Sequence, residues 1–471
     1  MLIYIDKADK TPIYEQIYIF LRQKVLSGSL KFGDKLPATR KLADELSIGR
    51  NTVDRAYQQL AAEGYVTSRV GSGFAVNKIP IEFSVSNQGT SSIQTLEKAK
   101  AQPVSLRYDF SHGAIDNSIF PYKQWRKSIN YALTLMESYS SIHYPCRQGE
   151  DSLRQSISLY LQRSRGVSCN ASQIIITSGQ QYSVEIIASL FESSSKRFAM
   201  EDPGYDGVRV VFQNHNYQVM PIPVEKDGVC LEAIQNLNTD LLYLTPSHQF
   251  PTGAVLSIAK RHKLLQWAVD TNSYLIEDDY DSELRYDINP IPSLQSLDTK
   301  DRTIYTGTFS KSLSPAIRVA YLVLPQSLMD RFHRYYYRYN SQVSLLHQTV
   351  LSHFISSGNY EKHINRLRTL YRKRQNAMLA ALGTVFGNAA DISGEGAGKH
   401  LLLTLKNSLP QDELIKRAEN IGIRVYSTKV NYMNPADCPY SQILLGFATV
   451  PTCDLKAILE ELHQAWSDDG N

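Results

Sequence analysis

The chain has 471 residues, 42% apolar and 20% charged, with a formal net charge of +4. That length exceeds one ordinary domain, and no apolar run approaches the roughly 18 residues of a membrane helix. The charged start MLIYIDKADK lacks a small-residue cleavage site, so no secretory signal is expected, and five scattered cysteines without a CxxC pair fit a reducing cytoplasm better than a disulfide framework or a zinc site.

The charge is unevenly placed. Residues 1–78 hold 12 Lys/Arg against 8 Asp/Glu, whereas the rest of the chain holds 38 of each. The whole excess lies in the first sixth, which points to a polyanionic partner there.

In that segment, PIYEQIYIFLRQKVLS puts Ile13, Ile17, Phe20, Leu21 and Val25 on one helical stripe before Gly28 and Gly33 break the chain. The spacing then predicts a helix from about Thr39 to Leu46, a tight turn over residues 47–49, and a second helix from about Arg50 to Glu63. Leu42, Leu46, Val53, Tyr57 and Leu60 form the expected seam, and YVTSRVGSGFAV reads as a hairpin with its tip at residues 70–73. Two helices on a short turn followed by a glycine-tipped hairpin make a winged helix-turn-helix. Arg50, Asn51 and Thr52 start the second helix, where base edges are reached, and Arg and Asn suit bidentate contacts to guanine and adenine. Arg40 can reach phosphate or a base, while Arg69 and Gly71 lie in the wing, where the minor groove passes.

Residues 79–104 lack sustained periodicity and read as a flexible linker, with a short helix near residues 95–101. From residue 105 to 471, short apolar runs alternate with amphipathic segments. Strands are expected at IIIT (174–177), RFAM (197–200), LLYLT (241–245), YLIED (274–278), TIYTG (303–307) and AYLVL (320–324). The expected fold class is α/β: the winged head over 1–78, then a body with a mainly parallel sheet and a smaller C-terminal α+β part. In such sheets ligands bind beyond the carboxyl ends of the strands.

The residues of interest fall at those ends. TFSKSLSPAIRVA places Lys311 among hydroxyls, so that Thr308, Ser310 and Arg318 can hold a phosphate while Lys311 meets an aldehyde. Gly179, Gln180 and Gln181 open a helix whose N–H groups can meet the same phosphate. In EDDYD, Asp278 or Asp279 can face a pyridine nitrogen, with Tyr280 donating to the ring oxygen, and Tyr205 of EDPGY can stack on the ring. Each stretch alone has a plainer reading: a helix cap for SGQQ, a metal site or solvated loop for EDDYD, packing for Tyr205. Their joint placement at successive strand ends argues for a site, with no metal.

Two resemblances follow. LPATR (36–40), RNTV (50–53), EGY (63–65) and the wing glycines make the head similar to the GntR family of bacterial repressors, with Asp54 standing where some relatives carry a DNA-contacting arginine. Tyr144, Gln148 with Gly149, Leu153 with Arg154, SGQ, EDPGY, TPSHQFPTG, EDDYDSE and TFSKS resemble fold-type I aminotransferases, and the fusion resembles the MocR/GabR-type regulators. That resemblance implies a Schiff base of pyridoxal 5′-phosphate (PLP) at Lys311. It puts Asp278 at the pyridine nitrogen, Tyr280 at the ring oxygen, and Arg318 with Ser310 on the phosphate. It also implies a head-to-tail, domain-swapped homodimer in which Tyr144 reaches the neighbour's phosphate, a double-stranded DNA operator, and no membrane partner. The match breaks where aminotransferases hold the substrate carboxylate. No arginine stands in NPADCPYS (434–441) just before QILLGFA (442–448), the last one in the chain being Arg424, and Gly207 stands where some amino-acid sensors have another. Arg209, Arg285 and Lys429 are the candidates to replace them. The expected function is a transcription regulator sensing PLP, or an amine or amino acid. The alternative is an active aminotransferase with an accessory head.

Overall fold

The computed structural model describes residues 3, 5–6, 11–69, 73–78, 106–140, 144–191, 196–286, 292–406 and 409–467. The chain divides into two compact units, Met1–Ala101 and Gln102–Asn471. The expected linker, its short helix and Gly71 lie outside the described residues.

In the first unit, α1 spans Ile13–Leu26, α2 Thr39–Leu46 and α3 Arg50–Ala62; β1 (Val66–Arg69) pairs antiparallel with β2 (Gly73–Val76). The turn between α2 and α3 is closed by Ser47 in the left-handed region (φ 53°), a conformation that a short polar side chain tolerates. Ile17, Leu21, Leu42, Val53, Tyr57 and Leu60 are buried in one cluster, as the seam predicts. The stripe of α1 is rotated slightly from expectation. Tyr18 is in the core and Phe20 only packs against it, because the Tyr18 hydroxyl finds Glu63 as a partner and so can be buried. Tyr57 ties the wing to α3: its ring meets Phe74 edge-on at 5.2 Å, and its hydroxyl donates to the Pro37 carbonyl at 3.0 Å.

The second unit begins with β3 (Tyr108–Asp109), α4 (Tyr122–Glu137) and α5 (Asp151–Arg165). Its large sheet contains β4 (Ile174–Thr177), β5 (Arg197–Asp202), β6 (Gln218–Glu225), β7 (Gly228–Val229), β8 (Leu241–Leu244), β9 (Tyr274–Asp278), β10 (Thr303–Thr308) and β11 (Ala320–Val323). The order is β4-β11-β10-β9-β8-β5-β6-β7. From β10 through β6 neighbours run parallel; β11 is antiparallel to both its neighbours, and β7 to β6. Every strand expected from the sequence is present. The pair β6–β7 was not anticipated, because β6 carries two prolines and a mostly half-exposed pattern, which suits an edge.

Period-two alternation divides the core into two faces. Ile174 and Ile176 pack with Leu153, Leu351 and Phe354 on one side, whereas Ile175 packs with Val184, Ile187 and Phe212 on the other. The helices that cover the sheet are α6 (Gln180–Leu190), α7 (Asp206–Asn214), α8 (Leu231–Gln235), α9 (Ile258–Asp270), α10 (Leu294–Leu297), α11 (Gln326–Tyr335), α12 (Leu345–Ser356) and α13 (Asn359–Val385).

The C-terminal part is α+β, as expected. β12 (Ala390–Ser393), β13 (His400–Leu405), α14 (Gln411–Asn420), β14 (Ile423–Arg424), β15 (Tyr426–Ser427), β16 (Gln442–Gly446) and α15 (Leu455–Ser467) follow in order. A four-stranded antiparallel sheet runs β12-β13-β16-β15, and β14 pairs with β3. Among the described residues no helix is long and apolar enough to cross a membrane.

Candidate functional site

A cavity of about 250 Å³ opens at the carboxyl ends of the central strands. Gln180, Gln181, Tyr205, Asp278, Tyr280, Thr308, Ser310, Lys311 and Arg318 all line it. Chain positions 180 to 318 thus converge because β4, β5, β9 and β10 all end at the same edge of the sheet, each handing its next residues to one rim.

The acidic run shows how the strand sorts its side chains. Glu277 and Asp279 point one way and Asp278 the other. Glu277 accepts from the backbone N–H groups of Leu294 and Gln295 at 2.8 and 2.9 Å. Asp279 takes a fork from Arg165, Nε at 2.6 Å and Nη2 at 3.3 Å, plus the Tyr305 hydroxyl at 2.6 Å. Burial alone would raise the Asp279 carboxyl, but Arg165 outweighs it and holds the group below the usual range. Asp279 is therefore a structural ion pair, and the choice between Asp278 and Asp279 for the cavity falls to Asp278.

Asp278 is 3% exposed. Its Oδ2 accepts from the Tyr243 hydroxyl, and its Oδ1 is buried with no hydrogen-bond partner. Burial, reinforced by the like charges of Asp279 and Asp281, pushes its pKa up to about 7. An acceptor left bare in such a place is an unfilled bond.

Lys311 sits in the same cavity, its ammonium 6.0 Å from the centre of the Tyr280 ring. Burial lowers its pKa from the ordinary lysine value, against the pull of Asp281 and Asp278. Tyr280 lies 3.1 Å from His248 Nδ1, which is itself 2.8 Å from Asp281 Oδ2. Asp281 accepts that imidazole N–H, so each of the four carboxylates of the acidic run has its own separate partners. Among the described residues no group of three or more His, Cys, Asp or Glu is placed to hold a metal ion.

At the other end of the cavity, Arg318 adopts a left-handed conformation (φ 51°) and donates from Nη2 to the Ser178 carbonyl at 3.3 Å. Gly179 does not line the cavity; its function is spatial. It has φ 107°, and a Cβ there would stand 2.4 Å from Arg318 Nη2. The glycine thus lets the guanidinium lie against the start of α6. Thr308 Oγ1 accepts from the Ser310 N–H at 3.1 Å, which shapes the loop that presents Lys311. Tyr144 is 84% exposed and is not part of this chain's cavity.

Several wall residues were not singled out from the sequence. Tyr243 is the one polar-tipped residue of an otherwise aliphatic strand, a signal that could have been used. His112, Phe250 and Pro315 gave no such signal. His112 arrives because β3 lies beside β14, and because Gly446 leaves room: a Cβ on Gly446 would stand 2.5 Å from the Ser111 backbone. The substitutes for a carboxylate-binding arginine are resolved unequally. Arg209 is committed to the Tyr432 and Val430 carbonyls at 2.9 and 2.6 Å, and Lys429 to Asp412 at 2.7 Å. Arg285 is buried with all three guanidinium nitrogens unpartnered, outside the cavity lining.

In the head, Arg40, Arg50 and Asn51 are exposed and Thr52 is half-buried. Arg50 Nε lies 3.5 Å from Asp54, one turn on. Arg55 is turned away, its guanidinium 3.9 Å from the centre of the Tyr14 ring. Arg69 ends β1, paired in register with Gly73.

Residues 13–76 match the family model for bacterial regulatory proteins of the gntR family, and residues 109–408 match that for aminotransferase class I and II. The chain is 38% identical over 466 residues, 98% of each chain, to the uncharacterized HTH-type transcriptional regulator YdeL of Bacillus subtilis. It is 32% identical to the probable rhizopine catabolism regulatory protein MocR of Rhizobium meliloti, over 99% of this chain and 96% of that one. The chain belongs to the MocR-type transcriptional regulators. In these, a gntR-family helix-turn-helix is fused to an aminotransferase-like body. The fold of the body is shared with the kynurenine aminotransferase of Pyrococcus horikoshii, with a TM-score of 0.69 and 24% identity over 77% of this chain and 90% of that chain. The MocR-type assignment makes this chain a DNA-binding transcription regulator, and the reading as an aminotransferase with an accessory head is not favoured.

Proposed function

We propose that this MocR-type regulator binds pyridoxal 5′-phosphate in the cavity at Lys311, and that occupancy of the cavity is the signal passed to DNA binding. The observation that carries the reading is Asp278. It is a buried carboxylate with a bare Oδ1, on the same cavity wall as Lys311 and Arg318. A protonated pyridine nitrogen would complete that bond and favour the ionised carboxylate.

The other residues fit the same group. Arg318, Ser310, Thr308 and the N–H groups opening α6 would take the phosphate. Tyr280 would donate to the ring oxygen, and Tyr205 would cover the ring face. Bound there, the cofactor supplies an electrophilic aldehyde within reach of an amine. Lys311 serves it because burial keeps a larger fraction of its amine uncharged and nucleophilic.

The working unit is a homodimer, head-to-tail with exchanged heads, in which Tyr144 reaches the neighbour's phosphate; its exposure supports that role. Arg40, Arg50, Asn51, Thr52, Arg69 and Gly71 contact operator DNA, and the protein works in the cytoplasm. The effector is PLP itself or an amine or amino acid that enters beside Lys311, and it acts by differential affinity for two states of the dimer.

The test is an absorption titration with PLP, followed by a DNA-binding titration on the protein's own upstream region. A visible band should appear, vanish in Lys311→Ala, and accompany a change in DNA affinity. An unchanged DNA titration removes PLP as effector; no band removes the cofactor.

A further inference from the structure

The two ends of the cavity differ in chemistry. At one end lie Arg318, Thr308 and Ser310, suited to an anion. Around His112 the lining is its neighbour Gly113 and Phe250, whose ring centre lies 5.3 Å from that of His112, and neither carries a charge.

Of the nearby cations, Arg285 is unpartnered but lies outside the cavity lining, and the others are spent elsewhere. Arg209 and Lys429 are tied down as described. The buried Lys399 donates to the Ala114 carbonyl at 3.0 Å, and so holds the segment that carries His112. The one unanswered polar atom on this wall is His112 Nδ1, which is buried with no hydrogen-bond partner. Its ring packs near Phe250 at 5.3 Å and Tyr426 at 6.1 Å, so the imidazole is held in place rather than free to turn to solvent. Burial, and then the charges of Lys311 and Lys399, push the His112 pKa down to about 4, so the ring is neutral near pH 7. A neutral imidazole can exchange a hydrogen bond with a hydroxyl or amide. It cannot compensate a carboxylate brought out of water.

Resting on the reading that the cavity holds PLP, we propose that the ligand read beside Lys311 is a primary amine with an uncharged polar tail, such as an amino alcohol, and that His112 selects it. The apolar body of such a ligand meets Phe250, its polar tail meets His112, and α-amino acids are excluded for want of a cationic partner. The role of His112 is recognition; it takes no part in holding the cofactor.

The experiment uses the full-length, PLP-loaded protein and calorimetry with three matched amines: L-alaninol, L-alanine and isopropylamine, which lacks the hydroxyl. L-alaninol should bind about tenfold or more tightly than either of the others, as one satisfied hydrogen bond predicts. His112→Leu should remove that advantage while leaving isopropylamine unchanged. His112→Gln, which keeps a donor and an acceptor, should restore most of it. The visible cofactor band of each variant reports that the site is intact. The inference is overturned if L-alanine binds as tightly as L-alaninol, if no amine binds, or if His112→Leu weakens alaninol and isopropylamine alike, which is what a merely structural histidine would do. Absence of the band from the unmutated protein would instead strike at the cofactor reading beneath it.

Discussion

The head and the body hold their functional groups in opposite ways. In the head, Arg40, Arg50 and Asn51 stand in solvent, and the ion pair there, Arg50–Asp54, joins an exposed arginine to a half-buried aspartate. Such groups cost little to fold and contribute little to stability. In the body, Asp278 is buried and Lys311 and His112 are half-buried in the cavity wall; all three have shifted pKa values, and Asp278 and His112 carry bare buried atoms. A surface that meets a polyanion needs only charge and projection, because binding gains from releasing the counterions condensed on the partner. A cavity that captures a small molecule must be desolvated beforehand, and its residues remain under strain of hydration until the ligand arrives. The difference teaches where each kind of site can be recognised: the head by pattern, the body by its unmet bonds.

The largest effect should come from Asp279→Asn. It leaves the Arg165 guanidinium buried without its counter-charge and should destabilise the body by about 3–5 kcal/mol in thermal or denaturant unfolding. The neighbouring Asp278→Asn should do the opposite in the cofactor-free protein, because a half-satisfied carboxylate is replaced by a neutral group, for a gain of about 1–3 kcal/mol. PLP affinity should fall. The sign with pH is fixed. The folded-state pKa of Asp278 is raised to about 7, so its contribution is fully present below the unfolded value and is lost as pH rises toward 7. The stability advantage of Asp278→Asn over the unmutated chain should therefore grow from about pH 4 to 7. Equal stability across that range would break the contrast between the adjacent carboxylates.

Gly179→Ala should cost about 1–2 kcal/mol, through a positive φ and a Cβ set against Arg318, and should weaken phosphate and PLP binding with the fold retained. The smallest stability effect belongs to the head. Arg50→Ala should change unfolding by less than about 0.5 kcal/mol. The same change should weaken specific DNA binding by about 1–3 kcal/mol, read by titration at fixed salt. A large loss of stability there would show that Arg50 is part of the scaffold.

Much of this was legible in the chain. The strands at 174–177, 274–278 and 303–307 announce themselves as short apolar runs, and TFSKS and EDDYD stand at their ends, so the convergence at one rim follows from a parallel sheet. The head was legible for the same reason: Leu42, Val53, Tyr57 and Leu60 repeat at helical spacing, and the turn is only three residues long. Tyr18 was missed because a tyrosine at a core position depends on a partner for its hydroxyl, here Glu63, 45 residues on. The β6–β7 edge was missed because prolines and half-exposure mask a strand's alternation.

Local pattern by itself determined the element types, the two-part organisation and the lysine at the centre of the site, because these depend on residues near one another in sequence. Only the tertiary structure decided which carboxylate faces the cavity, which arginines are already spoken for, and that His112 joins a wall built largely from residues beyond 180. Those outcomes depend on which side chain reaches a partner first across the fold: Tyr243 for Asp278, Arg165 for Asp279, Tyr432 for Arg209. No periodicity in the chain encodes that competition.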